Sequence, residues 1–170
     1  NNGGTITHKA GGVWKFESSA RLFNNAGGTI NYSGAWNKAM DFYSDYRDDL
    51  VTEIPVLKNT GTMNINGTIR FRSAFAINNT SGIINFNEWN TRELSRQTAN
   101  KIINKGTLNG SLLNTYTGGG LLMCELDKLI NTGTISSYIK MEPGGGIENR
   151  TTTIYNHIGG TIAGTIEMGS

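Results

Sequence analysis

The feature that most constrains the fold is a short motif, Gly-Thr-Ile or a close variant, that recurs seven times along the chain. Successive copies are separated by 21 to 33 residues. The copies are Gly4-Thr5-Ile6, Gly28-Thr29-Ile30, Gly61-Thr62-Met63, Gly82-Ile83-Ile84, Gly106-Thr107-Leu108, Gly133-Thr134-Ile135 and Gly160-Thr161-Ile162. Repeats of this length are typical of solenoids, and the unequal spacing indicates one structural unit that carries insertions of different length.

Each motif opens a segment in which apolar and outward-pointing residues alternate, as expected of a β-strand with one buried face. The outward position after each Thr-Ile pair is held by Thr7, Asn31, Asn64, Asn85, Asn109, Ser136 and Ala163. A second apolar segment, ending in Asn, precedes six copies at Leu22–Asn24, Val56–Asn59, Ala76–Asn78, Ile102–Asn104, Leu129–Asn131 and Ile154–Asn156. A third, with a charge between two apolar residues, occurs at Trp14–Phe16, Ile69–Phe71, Ile139–Met141 and Ile166–Met168.

Three short strands and three corners per repeat predict an all-β chain, a parallel β-helix of about seven coils with insertions along one edge. Stacked strands would lie about 4.8 Å apart. Gly and Asn suit the corners because they tolerate positive φ, and stacked Asn side chains can hydrogen-bond along a column. We predict a single domain over residues 1–170 that is part of a longer chain, with neighbouring sequence or another subunit covering the coil ends.

Two Asn-Gly pairs favour an alternative fold, a stacked meander of antiparallel hairpins. Asn66-Gly67 and Asn109-Gly110 each suit a two-residue hairpin turn. A meander would require a chain reversal between every pair of strands, however, and the equivalent positions of other repeats read Ser33-Gly34, Ser136-Ser137 and Ala163-Gly164. These sequences favour corners of a coil.

Coils of the form Asn-x-Gly-Thr-Ile with Asn at the corners resemble the right-handed parallel β-helices of bacterial surface adhesins, autotransporter passengers and phage tailspikes. The resemblance covers nearly the whole chain and includes no catalytic signature. It implies an extracellular, cell-surface or virion location and a structural or adhesive role. The expected partners are a surface glycan or host receptor, together with further copies of the chain, for example in a trimer.

Most of the variation in repeat length falls between the third strand of one coil and the Asn-ending strand of the next, so insertions should emerge along one edge. Between Asn37 and Pro55, Ala39, Phe42 and Tyr46 recur at helical spacing, which predicts a short amphipathic helix. A second short helix is expected between Asn90 and Asn100. Insertions of this kind commonly carry the binding site.

Aromatic residues of this edge are the candidate ligand-binding residues, because flat rings stack on sugars or pack against a neighbouring chain. They are Trp36, Tyr43, Tyr46, Trp89 and Tyr116. The same rings could instead cap the apolar ends of the coils.

An acidic cluster in the longest insertion favours an alternative function, cleavage of a polysaccharide. Such an enzyme needs one carboxyl group as an acid and another as a base or nucleophile. The candidate catalytic residues are Asp41, Asp45, Asp48, Asp49 and Glu53. A solvated helix face explains the same residues without any catalysis.

The outward threonines suggest a further alternative, ice binding, which uses a flat array of regularly spaced hydroxyl and methyl groups. This column consists of Thr5, Thr29, Thr62, Ile83, Thr107, Thr134 and Thr161. Ordinary β-propensity also explains threonine at exposed strand positions.

Charge and composition argue against several other classes. The net charge of +2 is too small for the basic stripe of a nucleic-acid-binding protein. No apolar run reaches the roughly 18 residues of a membrane-spanning helix. The one cysteine, Cys124, and the two histidines, His8 and His157, fall in different coils, so we predict no metal site and no cofactor.

Overall fold

The computed structural model describes residues 2–9, 12–17, 20–34, 39–43, 55–72, 74–91, 100–110, 120–123, 128–141 and 153–168. Within these ranges every regular element is a β-strand, and every strand pairing is parallel. The predicted all-β parallel β-helix is therefore confirmed, and the antiparallel meander is wrong. The described part of the chain holds no helix long and apolar enough to cross a membrane.

The strands that begin at the repeated motif form the continuous path of the first sheet. They are β1 (Thr5–His8), β4 (Thr29–Ser33), β7 (Thr62–Arg72), β9 (Ile83–Thr91), β11 (Thr107–Gly110), β14 (Thr134–Ser136) and β17 (Thr161–Ile162). They pair in chain order, and the motif stands in register from strand to strand, with Thr5 opposite Thr29 and Thr134 opposite Thr161. The unequal repeat lengths are absorbed by the connections.

The third strand of each coil belongs to the same twelve-stranded sheet. Its members outside β7 and β9 are β2 (Trp14–Glu17), β5 (Ala39–Tyr43), β12 (Gly120–Met123), β15 (Ile139–Met141) and β18 (Ile166–Met168). β7 and β9 run through both strand positions, so the first and third strands of these two coils are continuous. Asn66 and Gly67 of β7 together face Asn87 alone, and this β-bulge bends the strand where a corner was predicted.

The Asn-ending segments form a second, six-stranded sheet. Its strands are β3 (Leu22–Asn24), β6 (Leu57–Asn59), β8 (Phe75–Asn78), β10 (Lys101–Asn104), β13 (Lys128–Asn131) and β16 (Thr153–Asn156). They also stack in chain order, and Asn59, Asn78, Asn104 and Asn131 stand in register.

Apolar columns from both sheets fill the space between them. The first sheet contributes a fully buried column of Ile30, Met63, Ile84, Leu108 and Ile135, and the second sheet contributes Leu57, Ala76, Ile102 and Leu129. Near the bulge the core is aromatic, since Phe42 stacks on Phe16 with 4.7 Å between ring centroids and meets Phe71 edge-on at 5.2 Å. Like residues therefore lie above like residues from coil to coil.

A smaller aromatic group closes the core near the first coil. His8 stacks on Tyr32 with ring centroids 4.7 Å apart, and Trp14 meets both rings at an angle. The Tyr32 hydroxyl donates to the carbonyl of Gly12 at 3.4 Å. Burial raises the pKa of the Tyr32 phenol, and a hydrogen bond with the Trp14 backbone lowers it in part.

The prediction of a helix that includes Ala39 and Phe42 is wrong. Residues Ala39–Tyr43 form β5, which pairs with both β2 and β7. Ala39 and Phe42 have the three-residue spacing of a helix, but the buried Met40 and Phe42 on either side of the outward Asp41 follow the two-residue period of a strand. The rest of that insertion lies outside the described residues. The second short helix was expected between Asn90 and Asn100, and the structure describes three residues of this range. Asn90 and Thr91 belong to β9, and Asn100 is buried.

Candidate functional site

Asparagine side chains form two hydrogen-bonded columns along the solenoid, one inside and one outside. The buried ladder lies at the corner that follows the second sheet, where Nδ2 of each side chain donates to Oδ1 of the next at 2.7 to 2.9 Å. Its members are Asn2, Asn24, Asn59, Asn78, Asn104, Asn131 and Asn156.

Each step of the buried ladder also binds the backbone. Nδ2 of Asn78 lies 3.1 Å from the carbonyl of Gly82, in its own coil, and 3.1 Å from the carbonyl of Thr107, in the next. The side chain is 1% exposed, so water does not satisfy these groups. The buried ladder therefore joins neighbouring coils and holds each corner closed, which is a structural role.

The exposed ladder lies on the outer face of the first sheet. Asn64 donates to Asn31 at 2.8 Å, Asn85 to Asn64 at 2.8 Å and Asn109 to Asn85 at 2.9 Å. A second row runs beside it, where Nδ2 of Asn87 donates to Oδ1 of Asn66 at 3.0 Å. The bulge of β7 lies at this second row.

An open groove of about 330 Å³ lies along these two rows, and we call it the asparagine groove. Its lining residues are Asn64, Ile65, Asn66, Asn85, Phe86, Asn87, Asn109 and Gly110. Ile65 and Phe86 are each 2% exposed and their side chains belong to the core, since neighbouring residues of a strand point to opposite faces, so the floor between the two polar rows is strand backbone. None of the eight lining residues is ionisable.

The chemistry of the groove is that of neutral amides. A primary amide carries two N–H donors and an oxygen with two lone pairs. Asn85 donates one N–H to Asn64 and accepts one from Asn109, so it retains a second N–H and a second lone pair for a ligand. Neutral hydroxyl groups, which both donate and accept, suit these positions better than a phosphate or a cation.

Of the predicted aromatic residues, Trp89 and Tyr43 lie in the described part of the chain. Trp89 is 0% exposed and packs edge-on against Phe71 at 5.1 Å and Phe86 at 5.7 Å, so its ring belongs to the core and does not form a stacking surface for a glycan. Tyr43 ends β5 and is half-buried. The other three predicted aromatic residues, Trp36, Tyr46 and Tyr116, lie outside the described residues.

Of the predicted acidic cluster, the structure describes Asp41. Its Oδ2 lies 3.6 Å from a guanidinium nitrogen of Arg70, its neighbour in register on β7. Asp41 thus forms a cross-strand ion pair on the outer surface of the sheet. The remaining members, Asp45, Asp48, Asp49 and Glu53, lie outside the described residues. Among the described residues, no three His, Cys, Asp or Glu side chains come together as metal ligands.

The second row of the groove was not foreseen as a binding surface. Sequence reasoning placed Asn64, Asn85 and Asn109 on the outer face but treated Asn66 as part of a corner. The missed signal is the Asn-x-Asn spacing shared by Asn64-Ile65-Asn66 and Asn85-Phe86-Asn87, because residues two apart in a strand share a face.

No family model, curated protein or solved structure matches this chain. The strand pairings themselves show the parallel β-helix.

Proposed function

We propose that this chain is a structural and adhesive segment of a β-helix at a cell surface or virion, and that its asparagine groove binds a neutral glycan. The observation that carries this proposal is the pair of asparagine rows that line the groove on the outer face of β7 and β9. The hydroxyl groups of a sugar both donate and accept hydrogen bonds, so they match the N–H groups and oxygen lone pairs that the two rows leave unused.

The regularity of the groove favours an extended ligand. Equivalent amides recur about every 4.8 Å along the solenoid, and Asn64 and Asn66 stand two residues apart on one strand, which is about 6.6 Å. An oligosaccharide lying along the groove meets several amides at once. The strands that carry these side chains are paired on both sides, so their backbone is already ordered before a ligand binds. Binding therefore loses little conformational entropy.

The rod-like scaffold supports the adhesive role. The buried ladder and the parallel sheets repeat the same contacts from coil to coil, so the groove is held by a stack of units that each contact their neighbours. A surface fibre needs this kind of rigidity to present a binding site away from its attachment.

A glycan array tests the proposal when the chain is compared with the double variant Asn85→Ala and Asn87→Ala. We expect binding to neutral glycans, and a loss of at least about tenfold in the double variant, since each lost hydrogen bond contributes roughly 1 kcal/mol. Asn25→Ala is the matched control, because Asn25 is an exposed asparagine at a corner outside the groove. Absence of neutral-glycan binding, or equal binding by the double variant, contradicts the proposal.

The same glycans distinguish the binding protein from the enzyme. A polysaccharide-cleaving enzyme releases new reducing ends from its ligand, whereas an adhesive protein binds without release. Asp41 is held in an ion pair with Arg70, so the described residues favour binding. Release of reducing ends that persists in the groove variant would instead support the acidic cluster as a catalytic site.

One observation favours ice binding as a second candidate. The outward threonines of β4, β7, β11 and β14 are half-buried and stand in one column, with Ile83 of β9 in the same column between Thr62 and Thr107. The result is a regular array of methyl and hydroxyl groups beside the exposed ladder. Thermal hysteresis of freezing tests this candidate, and none is expected if the face binds glycans alone.

A further inference from the structure

An asparagine followed by glycine can react with its own backbone. The side-chain carbon Cγ and the backbone nitrogen of the next residue can close a small ring, and the reaction is favoured because both groups belong to one chain. Glycine has no Cβ to hinder this approach. The chain contains three such pairs, Asn2-Gly3, Asn66-Gly67 and Asn109-Gly110. The structure places them in different surroundings, so their reactivity should differ.

We propose that Asn66 is a site of spontaneous deamidation, which converts one amide of the asparagine groove into a carboxylate. The first reason is the β-bulge of β7. Asn66 and Thr68 pair with β4 and β5, but no described residue stands in register with Gly67 on β4, β5 or β9. The extra residue of a bulge is left out of the ladder, so the peptide between Asn66 and Gly67 rotates more easily than one in a regular strand.

The second reason is the set of contacts that the Asn66 side chain makes. Its Oδ1 accepts Nδ2 of Asn87 at 3.0 Å, and a donor at this position stabilises the negative charge that develops on the oxygen during attack at Cγ. Its own Nδ2, the nitrogen that must leave, donates to no described residue. The side chain is exposed, so water for the later hydrolysis reaches it.

Asn109 has almost the same local sequence but the opposite contacts. Residues Leu108–Ser111 read Leu-Asn-Gly-Ser, and residues Ile65–Thr68 read Ile-Asn-Gly-Thr. Gly110 pairs in register with β9. Nδ2 of Asn109 donates to Oδ1 of Asn85 at 2.9 Å, so the leaving nitrogen is held in the exposed ladder. Ring closure at Asn109 therefore has to break contacts that Asn66 does not make.

Asn2 is the most firmly held of the three. It is 6% exposed, and its Nδ2 donates to Asn24 at 2.9 Å and to the carbonyl of Thr29 at 3.2 Å. Its Oδ1 accepts the backbone N–H of Gly4 at 3.1 Å. Both atoms of the amide are therefore fixed, and Asn2 should react most slowly.

The reaction needs only water as a co-reactant. The nitrogen of Gly67 attacks Cγ of Asn66 and gives its proton to water, while the bond from Cγ to Nδ2 breaks and this nitrogen takes up a proton and leaves as ammonia. Water then opens the cyclic imide at either carbonyl carbon, which yields aspartate or isoaspartate. Because Gly67 is buried, the ring closes in conformations in which the bulge opens, so the rate follows the ease of that local opening.

The product changes the chemistry of the asparagine groove. None of the eight residues that line it is ionisable, so the carboxylate introduces its first charge. Both N–H donors of Asn66 are lost, while the donor from Asn87 gains a charged acceptor. An isoaspartate also lengthens the main chain by one carbon at the bulge. The groove thereby changes with the age of the molecule.

Peptide mapping by mass spectrometry tests the proposal on the folded chain, incubated in water enriched in heavy oxygen so that each hydrolysed site is labelled. We expect deamidation at Asn66 to be at least about fivefold faster than at Asn109, which corresponds to the roughly 1 kcal/mol of one hydrogen bond. Asn2 should be the slowest. All rates should rise with pH, because the attacking nitrogen must lose its proton.

Two controls separate the bulge from the sequence. In urea, where the bulge is absent, Asn66 and Asn109 should react at similar rates because their neighbours in sequence match. Asn66→Gln keeps a primary amide but requires a ring one atom larger, so position 66 should stay unlabelled while Asn109 reacts as before. The proposal is overturned if folded Asn66 reacts no faster than Asn109, or if its excess persists in urea. None of these measurements involves a glycan, so this inference and the proposed function can fail separately.

Discussion

The buried and exposed ladders are built from the same side chain with nearly the same hydrogen-bond lengths, 2.7 to 2.9 Å inside and 2.8 to 2.9 Å on the outer column. The two ladders differ in whether water can replace a hydrogen bond that is lost. Water reaches the exposed ladder, while the buried ladder is sealed by the corner and the core. The hydrogen-bond length therefore does not distinguish a structural asparagine from one that can bind a ligand. The burial of the side chain does.

The largest expected effect follows from breaking the buried ladder at Asn78. Asn78→Ala should lower the free energy of unfolding by about 3 to 5 kcal/mol, because each buried group left without a partner costs roughly 1 to 3 kcal/mol. Oδ1 of Asn104 and the carbonyls of Gly82 and Thr107 lose the donor Nδ2 of Asn78, and Nδ2 of Asn59 loses one of its three acceptors. Urea denaturation measures the change. A loss below that of an exposed-ladder variant would show that the buried column is dispensable.

A smaller effect is expected at the glycine column beside the buried ladder. A Cβ added at Gly106 would collide with the backbone carbonyls of Gly82 and Asn79, so Gly106→Ala should cost about 1 to 3 kcal/mol through overpacking. Gly3→Ala is the control, since a Cβ there meets no atom within 4 Å. Thermal denaturation compares the two, and equal melting temperatures would contradict the close stacking of the corners.

The smallest effect is expected on the exposed ladder. Asn85→Ala removes its bonds with Asn64 and Asn109 but leaves their amides open to water, so the cost should be about 0.5 to 1 kcal/mol. The same urea measurement applies. If Asn85→Ala were as destabilising as Asn78→Ala, burial would not be what separates the two ladders.

The repeat pattern was sufficient to predict the register of the solenoid. The motif residues stand opposite one another in every described pairing of the first sheet path, because each coil buries the same apolar position and a slip of one residue would expose it. The Asn-ending strands were predicted for the same reason, and their stacking into a column followed from the corner position.

Other features depend on tertiary context. Ala39 and Phe42 fit helical spacing, and only pairing with β2 and β7 selects a strand there. Trp89 lay beside a predicted insertion, yet its position opposite Ile69 of β7 turns the ring into the core. The asparagine groove also requires three neighbouring strands, so the Asn-x-Asn spacing alone puts the asparagines of one strand on one face but does not predict the groove.

Hydrogen exchange of the asparagine side-chain amides, followed by NMR, tests the contrast between the ladders most directly. The account predicts slow exchange for the Nδ2 protons of Asn59, Asn78 and Asn104, which open only when coils separate, and fast exchange for those of Asn85 and Asn87. Equal exchange rates in the two ladders would contradict it, because the buried asparagines could then not be the groups that hold the coils together.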